Sequence, residues 1–264
     1  MEAETDLPTL RALGDESLVT AFSRLIVHFG SSVGGSRTFG GATAIVSGMP
    51  PAFFNPILGI GETLEPDDIR LAVAWCRDRG VRPSLQIRDD LEAGIAGIAR
   101  DLGFERESWP MPGMALWLAS MPPAELPPEL QLRVVETAGD LEDWHAVFGS
   151  GPAYRQAFGP RMLEDREIRL LTGSVDGKPV TAAAAFHTPR VVGIYSVATA
   201  ENARRHGYGR AVTRAAIDAG RATWGSEVAI LQSSEMGFPI YRAMGFAAFC
   251  RYAIYVEPLT EEPA

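Results

Sequence analysis

The residues Arg204-Arg205-His206-Gly207-Tyr208-Gly209 combine full positive charges with two glycines one residue apart. Gly207 and Gly209 allow the backbone positive φ and a close approach to a ligand. A helix beginning here presents its first N–H groups outward, because they have no partner inside the helix. Its dipole adds about half a positive charge at the same end. Arg204, Arg205 and Arg210 supply whole charges around that point. The expected occupant is a phosphate or pyrophosphate. Two other nucleotide loops do not fit. A phosphate loop of the NTPases needs Gly-Lys-Ser or Gly-Lys-Thr at the helix start. Val212 stands where the dinucleotide fingerprint has its third glycine.

The pattern around the turn shows what must hold it. Leu132–Val135 reads as a short strand, and Asp140 as the cap of a helix running through Trp144 to Phe148. A further short helix is expected near 161–166. Asp176-Gly177 lies between two apolar runs, Arg169–Val175 and Pro179–Phe186, and predicts a hairpin with a two-residue turn. Val191–Val197 is the strand that leads to the Arg/Gly turn. The helix after it runs to about Ala222, with Val212, Ala215, Ala216 and Ala219 on one face. Val228–Gln232 is a strand, Phe238–Met244 a helix stopped by Gly245, and Ala253–Val256 a last strand. The order β-α-α-β-β-β-α-β-α-β is that of an α/β fold.

Arg-x-x-Gly-x-Gly after a strand ending Ser196-Val197-Ala198-Thr199, followed by an Ala-rich helix, resembles the acetyl-CoA-binding motif of the GNAT (GCN5-related N-acetyltransferase) superfamily. Tyr241-Arg242-Ala243-Met244-Gly245-Phe246 resembles that family's Tyr-x-x-x-Gly-Phe helix. The resemblance spans roughly residues 130–257. It implies that the strands 191–197 and 228–232 splay apart and admit coenzyme A. Backbone groups of Val197, Ala198 and Thr199 would then hold the pantetheine arm and the thioester carbonyl. The turn Arg204, Arg205, His206, Gly207, Tyr208, Gly209 and Arg210 would hold the pyrophosphate. Ser234 stands where many relatives carry a cofactor-binding Asn, and its reach is shorter. Tyr241 would protonate the departing thiolate; at a usual pKa of about 10 it is protonated at neutral pH. Glu235, His145 and His187 are the candidate bases. The implied activity is acetyl transfer to a small-molecule amine. A non-catalytic acyl-CoA sensor and a nucleotide-binding oxidoreductase are the rival readings.

The first half repeats the later half's order. Ala52–Ile60 reads as an apolar strand, Asp67–Arg79 as a helix, Pro83–Ile87 as a strand, and Leu91–Leu102 as a helix stopped at Gly103-Phe104. The chemistry is missing. Gly61-Glu62-Thr63-Leu64-Glu65 follows the strand where an Arg/Gly turn would be needed, and Glu62 and Glu65 would repel a pyrophosphate. Ala99 takes the place of Tyr241. The resemblance implies two GNAT-like α/β domains in tandem, each a mixed, mostly antiparallel sheet flanked by helices. Residues 1–120 form a degenerate one, 121–129 a Pro-rich linker, and 130–264 a catalytic one.

Composition excludes other classes. The chain has 264 residues and a net charge of −9, against a general nucleic-acid binder. Residues 1–129 carry 10 Lys and Arg against 18 Asp and Glu, and residues 130–264 carry 14 against 15. Two cysteines, Cys76 and Cys250, give no disulfide framework and suit a reducing cytoplasm. The acidic Met1-Glu2-Ala3-Glu4 lacks the basic start of a signal peptide. Thr43–Ile60 is broken by prolines and reads as two strands, not a membrane span. The four histidines have no metal-ligand spacing, and no Gly-x-Ser-x-Gly elbow occurs. The expected partners are acetyl-CoA and an amine, with no metal, nucleic acid or membrane, in a monomer or homodimer.

Overall fold

The computed structural model describes residues 7–123, 126–149 and 151–258. The acidic N-terminal residues, Ala124 and Glu125 of the Pro-rich linker, Ser150 and residues 259–264 lie outside the described residues. In chain order the first half runs α1 (Leu7–Phe29), β1 (Gly35–Phe39), β2 (Ala42–Val46), β3 (Pro56–Gly59), α2 (Pro66–Arg77), β4 (Ser84–Arg88), α3 (Glu92–Asp101), β5 (Glu105–Arg106) and β6 (Met111–Trp117). The second half runs β7 (Gln131–Val134), α4 (Ala138–Phe148), α5 (Pro152–Ala157), α6 (Arg161–Glu164), β8 (Ile168–Val175), β9 (Lys178–Thr188), β10 (Val191–Thr199), α7 (Tyr208–Trp224), β11 (Val228–Gln232), α8 (Phe238–Ala243) and β12 (Ala247–Val256). The mixed sheets flanked by helices agree with the expected fold class.

Two compact units result, and each draws on both halves of the chain. The C-terminal unit comprises Met1–Ala21 and Gly113–Phe249, and the N-terminal unit Phe22–Pro112 and Cys250–Ala264. These boundaries differ from a division at 121–129. The physical reason is strand pairing. β6 lies antiparallel to β11, from Val228↔Trp117 to Gln232↔Gly113. β12 lies antiparallel to β4, from Tyr252↔Arg88 to Tyr255↔Leu85. Each unit therefore takes its closing strand from the other half of the chain. The prolines mark a connection, not the edge of a unit.

Within the C-terminal unit the strand order is β7-β8-β9-β10-β11-β6. Asp176 and Gly177 have φ of 49° and 74°, the doubly left-handed turn that suits the twist of a hairpin. α7 buries Val212, Ala216 and Ile217 at helical spacing, against Ala183, Ala185, Val192, Ile194, Ala229 and Leu231 of the sheet. Thr137, not Asp140, is the N-cap of α4. Asp140 is the third helical residue and completes the reciprocal box, accepting from Thr137 N at 3.0 Å while Thr137 Oγ1 accepts from its N–H. α5 was not expected from the sequence.

In the N-terminal unit the order is β1-β2-β3-β4-β12, with β5 on β12. β1, β2 and β3 are successively antiparallel, and β3 and β4 are parallel around α2. The same sequence of pairings joins β8, β9, β10 and β11 around α7. Ala52–Phe54 is a single 3-10 turn and only Pro56–Gly59 is strand, because Pro51 and Asn55-Pro56 interrupt the apolar run. The core is Ile57, Ile69, Val73, Cys76, Leu85, Ile87, Ile95, Ile98 and Tyr255 with their neighbours. Burial pushes the Cys76 thiol up to about 12.

Candidate active site

Two parallel strands part at the centre of the C-terminal unit. β10 and β11 pair only through Val191↔Val228, Val192↔Ala229 and Gly193↔Ile230, yet β10 continues to Thr199 and β11 to Gln232. A bulge explains the parting. Between Tyr195 and Ala198 the register against β9 shifts by one residue, and Ser196 takes φ 53°. An extra residue bends the strand and increases its twist. The backbone groups of β10 that would have met β11 are left facing an opening. Val197, Ala198 and Thr199 lie along this stretch. Thr181 Oγ1 donates to Ala198 O at 2.8 Å and pairs with Thr199 Oγ1 at 3.1 Å, fixing the bulge from the β9 side.

The chain leaves β10 through a 3-10 turn, Glu201–Ala203, and enters α7 at Gly207. Gly207 is the N-cap with φ 81°, and Arg205 also has positive φ at 69°. Left-handed residues of this kind make backbone concavities that gather N–H groups. Ala211 N donates to Gly207 O at 3.0 Å, so the N–H groups of Tyr208, Gly209 and Arg210 precede the first intrahelical bond. Arg204, Arg205, His206 and Arg210 are exposed. Among the described residues, those three arginines make no ion pair. Arg204 Nε donates to Thr199 O at 3.4 Å, and His206 Nδ1 lies 2.9 Å from Arg204 O. Gly209 sits against the strand end: a Cβ there would lie 3.2 Å from Thr199 Oγ1.

Tyr208 differs from its neighbours in turning inward. It is buried with Leu130, Ala203 and Ala211, stacks on His206 at 5.4 Å and 17°, and donates to Glu129 Oε1 at 2.8 Å. That bond holds the phenol above its ordinary range. The carboxyl of Glu129 is held low first by its own backbone N–H and then by Tyr208. Glu129 was not singled out from the sequence, because it is remote along the chain and carries no motif.

α8 supplies the phenol. Tyr241 is half-buried against the apolar cluster under α7 and meets Phe246 edge-on at 5.9 Å. Burial pushes its pKa up to about 12, with the Thr213 hydroxyl pulling the other way. Thr213 Oγ1 itself donates to Gly209 O at 2.8 Å, so the same threonine touches the turn. Ser234 is exposed, and its hydroxyl accepts from Gly237 N at 3.2 Å, bracing the start of α8. Glu235 is exposed beside it. The structure does not bring His145 or His187 into this group as bases. His145 is buried with Nδ1 3.0 Å from Gly149 O and Nε2 3.0 Å from Phe158 O. His187 pairs with Val192 on the closed part of the sheet and stacks on Trp224 at 5.3 Å.

The N-terminal unit lacks each of these features. β3 and β4 stay paired through Gly59↔Ile87. Beyond that pair, Ile60 N and Gly61 N both donate to Gly41 O, while Arg88 Nη1 and Nη2 donate to Ile60 O and Gly61 O at 2.9 and 3.2 Å. The buried Arg88 thus stitches the strand ends that would have to part. The start of α2 is already capped: Asp68 Oδ2 accepts from Glu65 N and Gly41 N, both at 3.0 Å. Ala99 is fully buried and offers no hydroxyl.

The C-terminal unit thus has a mixed sheet that parts beside a basic helix N-terminus. Residues 138–246 match the family model described as "Acetyltransferase (GNAT) family". That segment is thus similar to the GNAT family, and the chain as a whole shares its fold with solved GNAT proteins. A search of curated proteins finds no match to the sequence. Among solved structures, the chain is similar to a GCN5-related N-acetyltransferase from Kribbella flavida, with 18% identity, TM-score 0.74, and 95% of this chain and 96% of that one covered. It is similar to one from Sphaerobacter thermophilus, with 18% identity, TM-score 0.61, and 84% and 79% covered. A tandem GNAT protein from the clavulanic acid biosynthesis pathway gives 13% identity, TM-score 0.53, and 83% and 80% covered. At these identities the likeness is one of fold. Among the described residues no helix is long and apolar enough to cross a membrane, and no cluster of His, Cys, Asp or Glu could hold a metal ion.

Proposed function

We propose that this protein transfers an acetyl group from acetyl-CoA to the amine nitrogen of a small molecule, by direct attack, in the C-terminal unit alone. The observation that carries this reading is the parting of β10 from β11 beyond Gly193↔Ile230, beside a helix start ringed by three arginines that make no ion pair among the described residues. The fit to acetyl-CoA is chemical as well as spatial. The outward N–H groups of residues 208–210 and the charges of Arg204, Arg205 and Arg210 suit a pyrophosphate. The unpaired edge of Val197, Ala198 and Thr199 suits the amides of a pantetheine arm, and N–H groups there stabilise the oxygen that gains charge when the carbonyl is attacked.

The balance of the reaction is simple. The amine nitrogen forms a bond to the carbonyl carbon and loses a proton. The carbon–sulfur bond breaks and the sulfur gains one. Tyr241 donates to the sulfur as its charge develops. The exposed Glu235, or solvent beside it, takes the proton from nitrogen. Ser234 serves the start of α8, and Tyr208 props the turn from within. The N-terminal unit, with its strand ends stitched by Arg88, has a supporting role. A reducing cytoplasm suits the two buried cysteines, which form no disulfide.

The test is acetyl-CoA-dependent acetylation of amines, amino acids, polyamines and aminoglycosides, read by thiol release and by the mass gain of the amine. Acetyl-CoA binding without release across that panel points to a sensor. Binding of NAD(P) in its place points to an oxidoreductase.

A further inference from the structure

The inner face of α7 carries Val212, Ala216 and Ile217, with the hydroxyl of Thr213 among them. Thr213 is fully buried. A valine would fill the same volume and keep the branched shape, with no polar group to desolvate. The hydroxyl satisfies itself locally: Oγ1 donates to Gly209 O at 2.8 Å, one turn back. Such back-bonding is how a threonine inside a helix ordinarily places its proton. The same carbonyl also takes the helical bond from the N–H four residues on. The hydroxyl can therefore turn elsewhere without orphaning Gly209 O.

Beside this hydroxyl lies Tyr241. The phenol ring is held by its surroundings. It packs against the cluster under α7, Phe246 meets it edge-on at 5.9 Å, and a Cβ on Gly237 would lie 2.8 Å from its Cε2. Its hydroxyl meets that of Thr213, which opposes the rise that burial gives its pKa. A hydroxyl has one proton to give and two lone pairs to offer. Thr213 gives its proton to Gly209 O, so it accepts from the phenol. In this resting arrangement the Tyr241 proton points at Thr213 and away from the opening. Turning that proton to a sulfur that gains charge leaves the phenol oxygen gaining charge in its turn. An oxygen buried in that state needs a donor. Thr213 Oγ1 is already in contact, and by leaving Gly209 O it supplies one.

We propose that Thr213 is a positioning residue for the acid: its hydroxyl accepts from Tyr241 at rest and turns to donate to the phenol oxygen as the Tyr241 proton moves to the departing sulfur. No proton leaves Thr213. The proton that reaches sulfur is that of Tyr241, which recovers one from solvent once the thiol has gone. This inference rests on the acetyltransferase reading and on Tyr241 as its acid.

Thr213→Val tests it, because the shape stays and only the hydroxyl goes. Thiol release should show kcat about five-fold lower, the weight of one hydrogen bond. Calorimetric affinity for acetyl-CoA should stay within about two-fold of wild type. Thr213→Ser, which keeps the hydroxyl, should recover most of the rate. Thr213→Val combined with Tyr241→Phe should be no slower than Tyr241→Phe alone, since the threonine acts only through the phenol. In the protein without substrates, labelled with carbon-13 at tyrosine Cζ, the resonance missing from Tyr241→Phe should move on Thr213→Val and hold its place in Thr213→Ser. An unmoved resonance or a fall in kcat below about two-fold overturns the proposal. So does a loss of affinity that matches the loss of rate, or equal slowing of the wild type and of Tyr241→Phe, either of which marks a structural role. Tyr241→Phe at the wild-type rate overturns the acid, and this inference with it. Release of no thiol with any amine overturns the acetyltransferase reading as well.

Discussion

Replacing Tyr241 with Phe probes the chemistry most sharply. The ring would keep its packing on Phe246 and its place beside Gly237, where a Cβ would lie 2.8 Å from Tyr241 Cε2. Only the hydroxyl is lost. In the folded protein that phenol has its pKa pushed up to about 12, whereas a thiol ionises near 8.5. The gap of roughly 3.5 units is about 5 kcal/mol, so a complete proton transfer ahead of carbon–sulfur cleavage is uphill. In the proposed reaction the phenol supplies a hydrogen bond to sulfur as negative charge grows. Hydrogen bonds to charged groups contribute about 1.5–3 kcal/mol, which is roughly ten- to hundred-fold in kcat. Steady-state thiol release should show that loss, and calorimetry should show acetyl-CoA affinity within about two-fold of wild type. The phenol keeps its proton up to about pH 12, so no descending limb of the kcat profile between pH 7 and 10 should vanish in the variant. A fall in kcat below three-fold, or a loss of affinity that matches the loss of rate, refutes the assignment.

Three further outcomes follow from other parts of the structure. Gly207→Val places a β-branched residue at φ 81°, a strain of about 1–3 kcal/mol. The nearest protein atom to a Cβ is Pro127 Cγ at 3.8 Å, so the protein can accommodate it, and calorimetry should show coenzyme A affinity falling at least ten-fold. Arg88→Met leaves Ile60 O, Gly61 O and Asp90 without their guanidinium. Urea unfolding should show a loss of about 3 kcal/mol, the usual scale for breaking a buried charged network, with acetyl-CoA affinity preserved. Tyr195 and Tyr241 both have folded pKa values of about 12 against an ordinary 10. Between pH 10 and 12 the unfolded chain releases protons the folded one retains, so stability present below pH 10 falls as pH rises. The loss is up to about 2–3 kcal/mol per residue, and unfolding followed against pH should show it.

Most of the second half was legible because its elements carry local signals. Asp176-Gly177 sets the hairpin, the Arg/Gly turn starts α7, and Gly245 stops α8. The first half was legible where its apolar runs are short and bounded. α1 was not read because its inward face contains Asp15 and Ser17, both buried, which blur the helical period. β6 was missed because Pro112 and Gly113 break its pattern, and its pairing with β11 depends on a partner more than a hundred residues away. The exchange of closing strands is invisible to periodicity for the same reason. In the site, the cradle and Tyr241 lie in contiguous motifs. Glu129 and Thr213 do not. They matter only once the fold sets a linker beside a helix start and a helix beside α8.

The central claim is that the opening between β10 and β11 catalyses acetyl transfer. Incubation with acetyl-CoA labelled in its acetyl group, over a panel of small amines, tests it most directly. The account predicts stoichiometric thiol release and label in amide linkage on the amine, both retained in a folded Arg88→Met and, with acetyl-CoA below the wild-type Kd, lowered at least ten-fold in Gly207→Val. Labelled acetyl-CoA that binds but stays intact with every amine would contradict it, as would transfer at the wild-type rate by Gly207→Val under those conditions.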